Sequence, residues 1–167
     1  MENTSVNLYK IPVKKNSIEK IVTKQGMLSA KQKSHLKNLK NSIDFVVPAG
    51  TEVFAALDGE VTTMKDDSDA GGPDKKYWYD GNFIVIKHAN GEFSYYEHFK
   101  FKGVAVKVGD RVKTGQLIGH VGMTGYTFRP HLHFDVFVWP YPTAKPKERE
   151  TVKVRFEDFS NIYEVGE

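Results

Sequence analysis

The sequence predicts an all-β protein. Short runs rich in β-branched and aromatic residues recur almost from end to end, turn signals built on glycine and proline separate them, and helical periodicity is scarce. In order, the runs are 8–13, 43–47, 51–56, 59–64, 82–88, 92–99, 104–108, 111–113, 117–121, 131–139 and 151–156. Between them lie Pro48-Ala49-Gly50, Asp58-Gly59, Asp80-Gly81-Asn82, Asn90-Gly91, Gly109-Asp110 and Gly122-Met123-Thr124-Gly125. Asn90-Gly91, set between Ile84-Val85-Ile86 and Phe93-Ser94-Tyr95-Tyr96, predicts a tight hairpin because both residues accept positive φ. One short helix is expected over 29–40, with Ser29 as its N-cap, although its apolar periodicity is poor.

The 167 residues suit one domain with a core that needs no covalent cross-link. There is no cysteine, which excludes disulfides, thiolate catalysis and thiolate metal sites, so any transition-metal site must use His and carboxylate. A net charge of +3 gives at most a weak attraction to anionic polymers, and no nucleic-acid partner is expected. No apolar run reaches the length of a membrane span. The expected organisation is a polar lead-in over 1–34 packed on the domain, a central domain over 35–139, and a C-terminal extension over 140–167 that adds one strand. Residues 65–80 read as a long loop. Its Asp67 and Asp69 suggest a calcium loop, but Trp78 stands where the twelfth-position carboxylate belongs.

The stretch His131-Leu132-His133-Phe134-Asp135 carries the most chemistry. Alternate residues of a strand share a face, so His131, His133 and Asp135 look one way while Leu132, Phe134 and Val136 look into a core. Imidazole is the commonest metal ligand and a ready acid or base near neutral pH. Two ordinary surface histidines on an amphipathic strand would give the same pattern. Asp44, embedded in the apolar Ile43-Asp44-Phe45-Val46-Val47, is costly to bury unless it is paired or metal-bound. His98 sits among aromatics in Tyr95-Tyr96-Glu97-His98-Phe99.

The order of these motifs resembles the lysostaphin-type (LytM-like, M23) zinc endopeptidases of bacterial cell walls. The resemblance runs from Ile43-Asp44-Phe45 through Asp58-Gly59-Glu60-Val61, Gly81-Asn82-Phe83-Ile84-Val85-Ile86-Lys87-His88 and Tyr96-Glu97-His98-Phe99. It continues through Gly115-Gln116-Leu117-Ile118-Gly119 to Thr124-Gly125 and His131-Leu132-His133-Phe134. It implies an antiparallel sheet with a second small sheet, folded into a groove over zinc. It also implies a peptide substrate in peptidoglycan cross-bridges or stem peptides, and a monomer. Such enzymes are extracellular or periplasmic. Residues 1–20 lack the apolar stretch of a secretory signal, which leaves a cytoplasmic location open as well.

Residue by residue, the resemblance makes Asp44 and His133 metal ligands. His131 becomes the group that handles the proton of the attacking water, and His98 the group that steadies the tetrahedral intermediate. Many family members carry a His four residues before the Asp, and here that position is Lys40, a poor zinc ligand. One alternative takes the third ligand from His35, after a lead-in of Tyr9-Lys10-Ile11-Pro12 and Gln25-Gly26 like that of one subgroup. The other is a metal-free binding or regulatory module. A carbohydrate-binding module stacking sugars on Tyr77, Trp78 and Tyr79 is a third, which leaves the His-x-His row unexplained. Tyr95, Tyr96, Tyr77 and Trp78 are expected to line the groove. Arg129 stands where a small residue is usual and is expected to alter substrate preference. Asp135, on the face of His133, is expected to hydrogen-bond an imidazole. His88 is expected beside the site, in a structural role or supporting a metal ligand rather than as one.

Overall fold

The computed structural model describes residues 3–23, 35, 37–140, 142–144, 148–160 and 162–165. The strands are β1 (Thr4–Tyr9), β2 (Lys20–Val22), β3 (Ile43–Val46), β4 (Glu52–Phe54), β5 (Gly59–Lys65), β6 (Gly71–Gly72), β7 (Asn82–Lys87), β8 (Phe93–Val104), β9 (Arg111–Val112), β10 (Leu117–Val121), β11 (Gly125–Tyr126), β12 (His131–Val138) and β13 (Glu150–Phe156). Of these, β2, β6 and β11 lie outside the predicted runs, and β1 overlaps the run expected over 8–13 only at Leu8 and Tyr9. All but β6 and β11 belong to one curled sheet, whose main path runs β1-β13-β12-β8-β7-β5-β9. Every pairing on that path is antiparallel except the parallel β1–β13.

The strand with the His-x-His row is central. β12 pairs with β8 along residues 133–137 on one side. On the other it pairs with β3 along 131–134 and then with β13 along 136–138. Its Leu132, Phe134 and Val136 face inward and join Ile43, Phe45, Ile84, Ile86, Tyr96, Phe99 and Ile118 in one core. Each such side chain, fully buried, contributes about 1.5–3 kcal/mol. His131, His133 and Asp135 lie on the opposite face and are also buried, because loops and terminal segments cover that face.

The hairpin between β7 and β8 turns at Asn90 (φ 63°) and Gly91 (φ 71°), as the dipeptide predicts. Of the helix expected over 29–40, residues 29–34 and 36 lie outside the described residues, and 37–39 form a single 3-10 turn. The separate strand expected over 104–108 does not form. β8 extends to Val104 instead, and Ala105 N–H bonds Ile118 O at 2.8 Å before the chain turns at Gly109. The loop over 65–80 carries β6, which pairs in parallel with β11. This second, two-stranded sheet fastens the 65–80 loop to the 122–130 loop.

The N-terminal strand is held by a buried carboxylate. Glu92 accepts hydrogen bonds from Val6 N–H, from Asn7 N–H at 3.2 Å and from Tyr9 Oη at 2.9 Å. Both terminal segments thereby join the sheet that carries the histidines.

Candidate metal centre and active site

β3 and β12 are in a register that sets Asp44 directly opposite His133. Cross-strand partners approach closely enough for side chains to bond, and His133 Nδ1 lies 3.0 Å from Asp44 Oδ1. His35 reaches the same oxygen from the segment before β3, its Nε2 at 3.3 Å. Donor atoms of His35, Asp44 and His133 all lie within 4.8 Å of one another, and the three residues are buried. Lys40 is exposed in the turn before β3.

The hydrogen bonds around these ligand atoms suit a cation. His35 Nδ1–H donates to Thr23 O at 3.1 Å, which leaves Nε2 as a lone pair. That Nε2 is buried without a hydrogen-bond partner, and it is aimed at Asp44. His133 Nε2–H donates to Asp135 Oδ2 at 3.2 Å, so its Nδ1 can turn a lone pair to the same point. Two imidazoles and a carboxylate match the protein donor set of a catalytic zinc site.

Two more histidines line the cluster. His131 Nδ1–H donates to Arg129 O at 2.9 Å, and its Nε2 lies 3.8 Å from Asp44 Oδ1. Its ring centroid is 4.5 Å from that of His98. His98 Nδ1–H donates to Thr124 O at 2.6 Å. Strict alternation would turn His98 inward with Tyr96. It faces the site because β8 bulges there: Asn82 pairs with Phe99 and Phe83 with Glu97, leaving His98 as the extra residue with φ 77°. A non-glycine residue in this left-handed region stores on the order of 1–3 kcal/mol, and such strain concentrates at functional sites.

Electrostatics separate the roles of these groups. Burial disfavours ionised Asp44, but His35, His131 and His133 outweigh it and hold the carboxyl well below the usual range. Burial pushes His131 down to about 3; Asp44 opposes that shift, while His98 and His133 add to it. His131 is therefore neutral at pH 7. Burial also works against charged His133, yet its bonds to Asp135 and Asp44 raise it to about 10, so a metal ion at Nδ1 would have to displace the proton that Nδ1 shares with Asp44.

The profile of peptidase family M23 matches residues 38–146. The chain belongs to peptidase family M23. This M23 chain is 37% identical over 95 residues to the peptidoglycan DD-endopeptidase ShyC of Vibrio cholerae, covering 57% of this chain and 19% of that protein. It is 42% identical over 94 residues to a glycyl-glycine endopeptidase of Staphylococcus capitis, covering 55% of this chain and 23% of that one. The chain thus spans about a fifth of the length of these curated relatives. Among solved structures, a zinc-containing peptidase of Vibrio cholerae aligns with a TM-score of 0.58 at 28% identity, over 78% of this chain and 36% of that one. The catalytic domain of lysostaphin from Staphylococcus simulans aligns with a TM-score of 0.55 at 28% identity, over 81% and 90%. The all-β M23 fold expected from sequence is the fold observed.

Some expected site residues lie elsewhere. Tyr96 does not line the groove. Its neighbour Tyr95 faces outward, so Tyr96 points into the core, where Ala56 N–H and Ser94 Oγ bond its hydroxyl, both at 3.0 Å. His88 shares that inner side: it bonds Asp58 O and Ser94 Oγ, both at 2.7 Å, and packs on Tyr9. Arg129 is tied to Glu19 at 2.6 Å, and it is the backbone carbonyl of Arg129 that orients His131. Trp78 packs on Tyr126 at 5.7 Å between the two stapled loops. Arg149, which has no motif to announce it, bonds Asp135 at 3.1 Å.

Proposed function

We propose that this M23 chain is a zinc-dependent endopeptidase that hydrolyses peptide bonds of peptidoglycan, in cross-bridges or stem peptides, as a monomer outside the cytoplasmic membrane. The convergence of His35, Asp44 and His133 on one buried point, with His131 and His98 alongside, carries this reading. His35 Nε2, Asp44 Oδ1 and His133 Nδ1 would hold a zinc ion, which would supply Lewis acidity for the scissile carbonyl and the attacking water.

The remaining work falls to the chain itself. His131, kept neutral by burial and fixed by Arg129 O, presents Nε2 to accept the proton of that water and later return it to the leaving amine. His98, fixed by Thr124 O and by the bulge, turns Nε2 toward the carbonyl oxygen as negative charge develops there. The stapled loops, with Trp78 and Tyr126, wall the groove for an extended peptide. The peptidoglycan assignment draws on the names of the relatives, a DD-endopeptidase and a glycyl-glycine endopeptidase.

The test is hydrolysis of purified peptidoglycan and of defined cross-bridge and stem peptides by the zinc-loaded protein. Turnover should fall by about 10²–10⁴-fold in His131→Ala, with zinc retained. A zinc-loaded wild type that cleaves none of these substrates would contradict the proposal.

A further inference from the structure

Arg149 lies three residues beyond the family-matched span, in the C-terminal segment, yet it reaches the metal site. Asp135 Oδ2 accepts from His133 Nε2–H at 3.2 Å, from Arg149 Nη2 at 3.1 Å and from Ser42 Oγ at 3.3 Å. The Asp135 side chain is fully buried and that of Arg149 is 13% exposed. The guanidinium lies 4.3 Å over the Tyr95 ring, and Tyr95 itself packs edge-on to His133. Planar stacking and a charge-assisted bond fix an Arg far better than they would a Lys.

The same segment also binds the turn that leads into Asp44. Arg149 O accepts from Asn38 Nδ2 at 2.8 Å, and Thr151 Oγ1 donates to Asn38 O at 2.8 Å. Asn41 N–H bonds Thr151 Oγ1 at 3.1 Å, and Asn41 Nδ2 bonds Thr151 O at 2.8 Å. Asn38 and Asn41 bracket the turn between His35 and Asp44. Arg149, just before β13, and Thr151, within it, therefore tie down Asp135, the partner of His133, and the turn that leads into Asp44.

We propose that Arg149 is a positioning residue of the metal centre, and that the Arg149–Thr151 segment is a clamp that presets the three ligands for zinc. The inference rests on the zinc site proposed above. Outer partners of ligating histidines typically govern 10–100-fold in metal affinity.

The test is zinc affinity of the full chain by competition with a chromophoric chelator, together with the visible spectrum of the cobalt-substituted protein and the melting temperature of the metal-free form. Arg149→Gln should bind zinc about 10–100-fold more weakly and shift the cobalt bands. Arg149→Lys should recover only part of the affinity, and Thr151→Val, which keeps the shape of the strand, should weaken binding by a smaller factor. A role in folding alone would lower the melting temperature and leave folded Arg149→Gln and Thr151→Val with wild-type affinity and spectrum; that result overturns the clamp while the zinc site stands. A wild type that binds no zinc overturns both.

Discussion

At the scale of single residues, the site depends on which nitrogen of each imidazole is already engaged. His35, His98 and His131 each spend Nδ1–H on a backbone carbonyl, of Thr23, Thr124 and Arg129 respectively, so the opposite nitrogen is what each offers the site. His133 is reversed, spending Nε2–H on Asp135. Most of these residues were legible in the sequence, since the row at 131, 133 and 135 follows from strand alternation and Asp44 stands out as a charge in an apolar run. His35 was legible only through the resemblance, because a candidate ligand nine residues before Asp44 has no periodicity to betray it. Arg149 was not legible at all: its role comes from a sheet pairing that no local pattern encodes. If His98 stabilises the developing oxyanion, His98→Ala should lower kcat by about 10²–10³-fold with KM and zinc content little changed. Wild-type kcat in that variant would remove His98 from the mechanism.

Among the elements, β8 shows where alternation fails. Through Tyr96 the strand obeys it, with Tyr95 and Glu97 outward and Ser94 and Tyr96 in the core. Placing Tyr96 in the groove overlooked this period, and His98 reaches the site only because the bulge inserts one residue. On the inner side, β7 and β8 carry a buried chain from Asp58 O through His88 to Ser94 and Tyr96. Burial lowers the affinity of His88 for a proton, with smaller opposing contributions from Asp58 and Glu92. Its folded pKa lies below its unfolded value of about 6.5, so the folded state binds fewer protons. The stability it contributes is complete above pH 6.5 and is lost as pH falls through the folded pKa. Urea midpoints of the metal-free protein between pH 7.5 and 5 should therefore drop more steeply in wild type than in His88→Gln, by up to about 1.4 kcal/mol per pH unit. Equal slopes would show that His88 is not held neutral.

For the whole molecule, both terminal segments pack into the sheet that carries the His35-Asp44-His133 cluster. β2 is the neighbour of β3, and Thr23 just after it gives the carbonyl that orients His35, while β13 lies beside β12 and the proposed clamp sits at its start. The all-β class was readable from composition and turn spacing, because β-branched runs and glycine turns act locally. The parallel β1–β13 pairing and the staple between β6 and β11 join segments more than fifty residues apart, and their strands carry no signal for the partner. What unites the molecule is convergence: the segment before β3, β3 itself and β12 bring donor atoms of His35, Asp44 and His133 within 4.8 Å of one another, while Lys40 is exposed. The most direct test is the zinc content of purified wild type, His35→Ala and Lys40→Ala by elemental analysis, after loading and removal of free metal. About one zinc per chain in wild type and Lys40→Ala, lost in folded His35→Ala, is the predicted result. No zinc in wild type, or full zinc in folded His35→Ala, would contradict it.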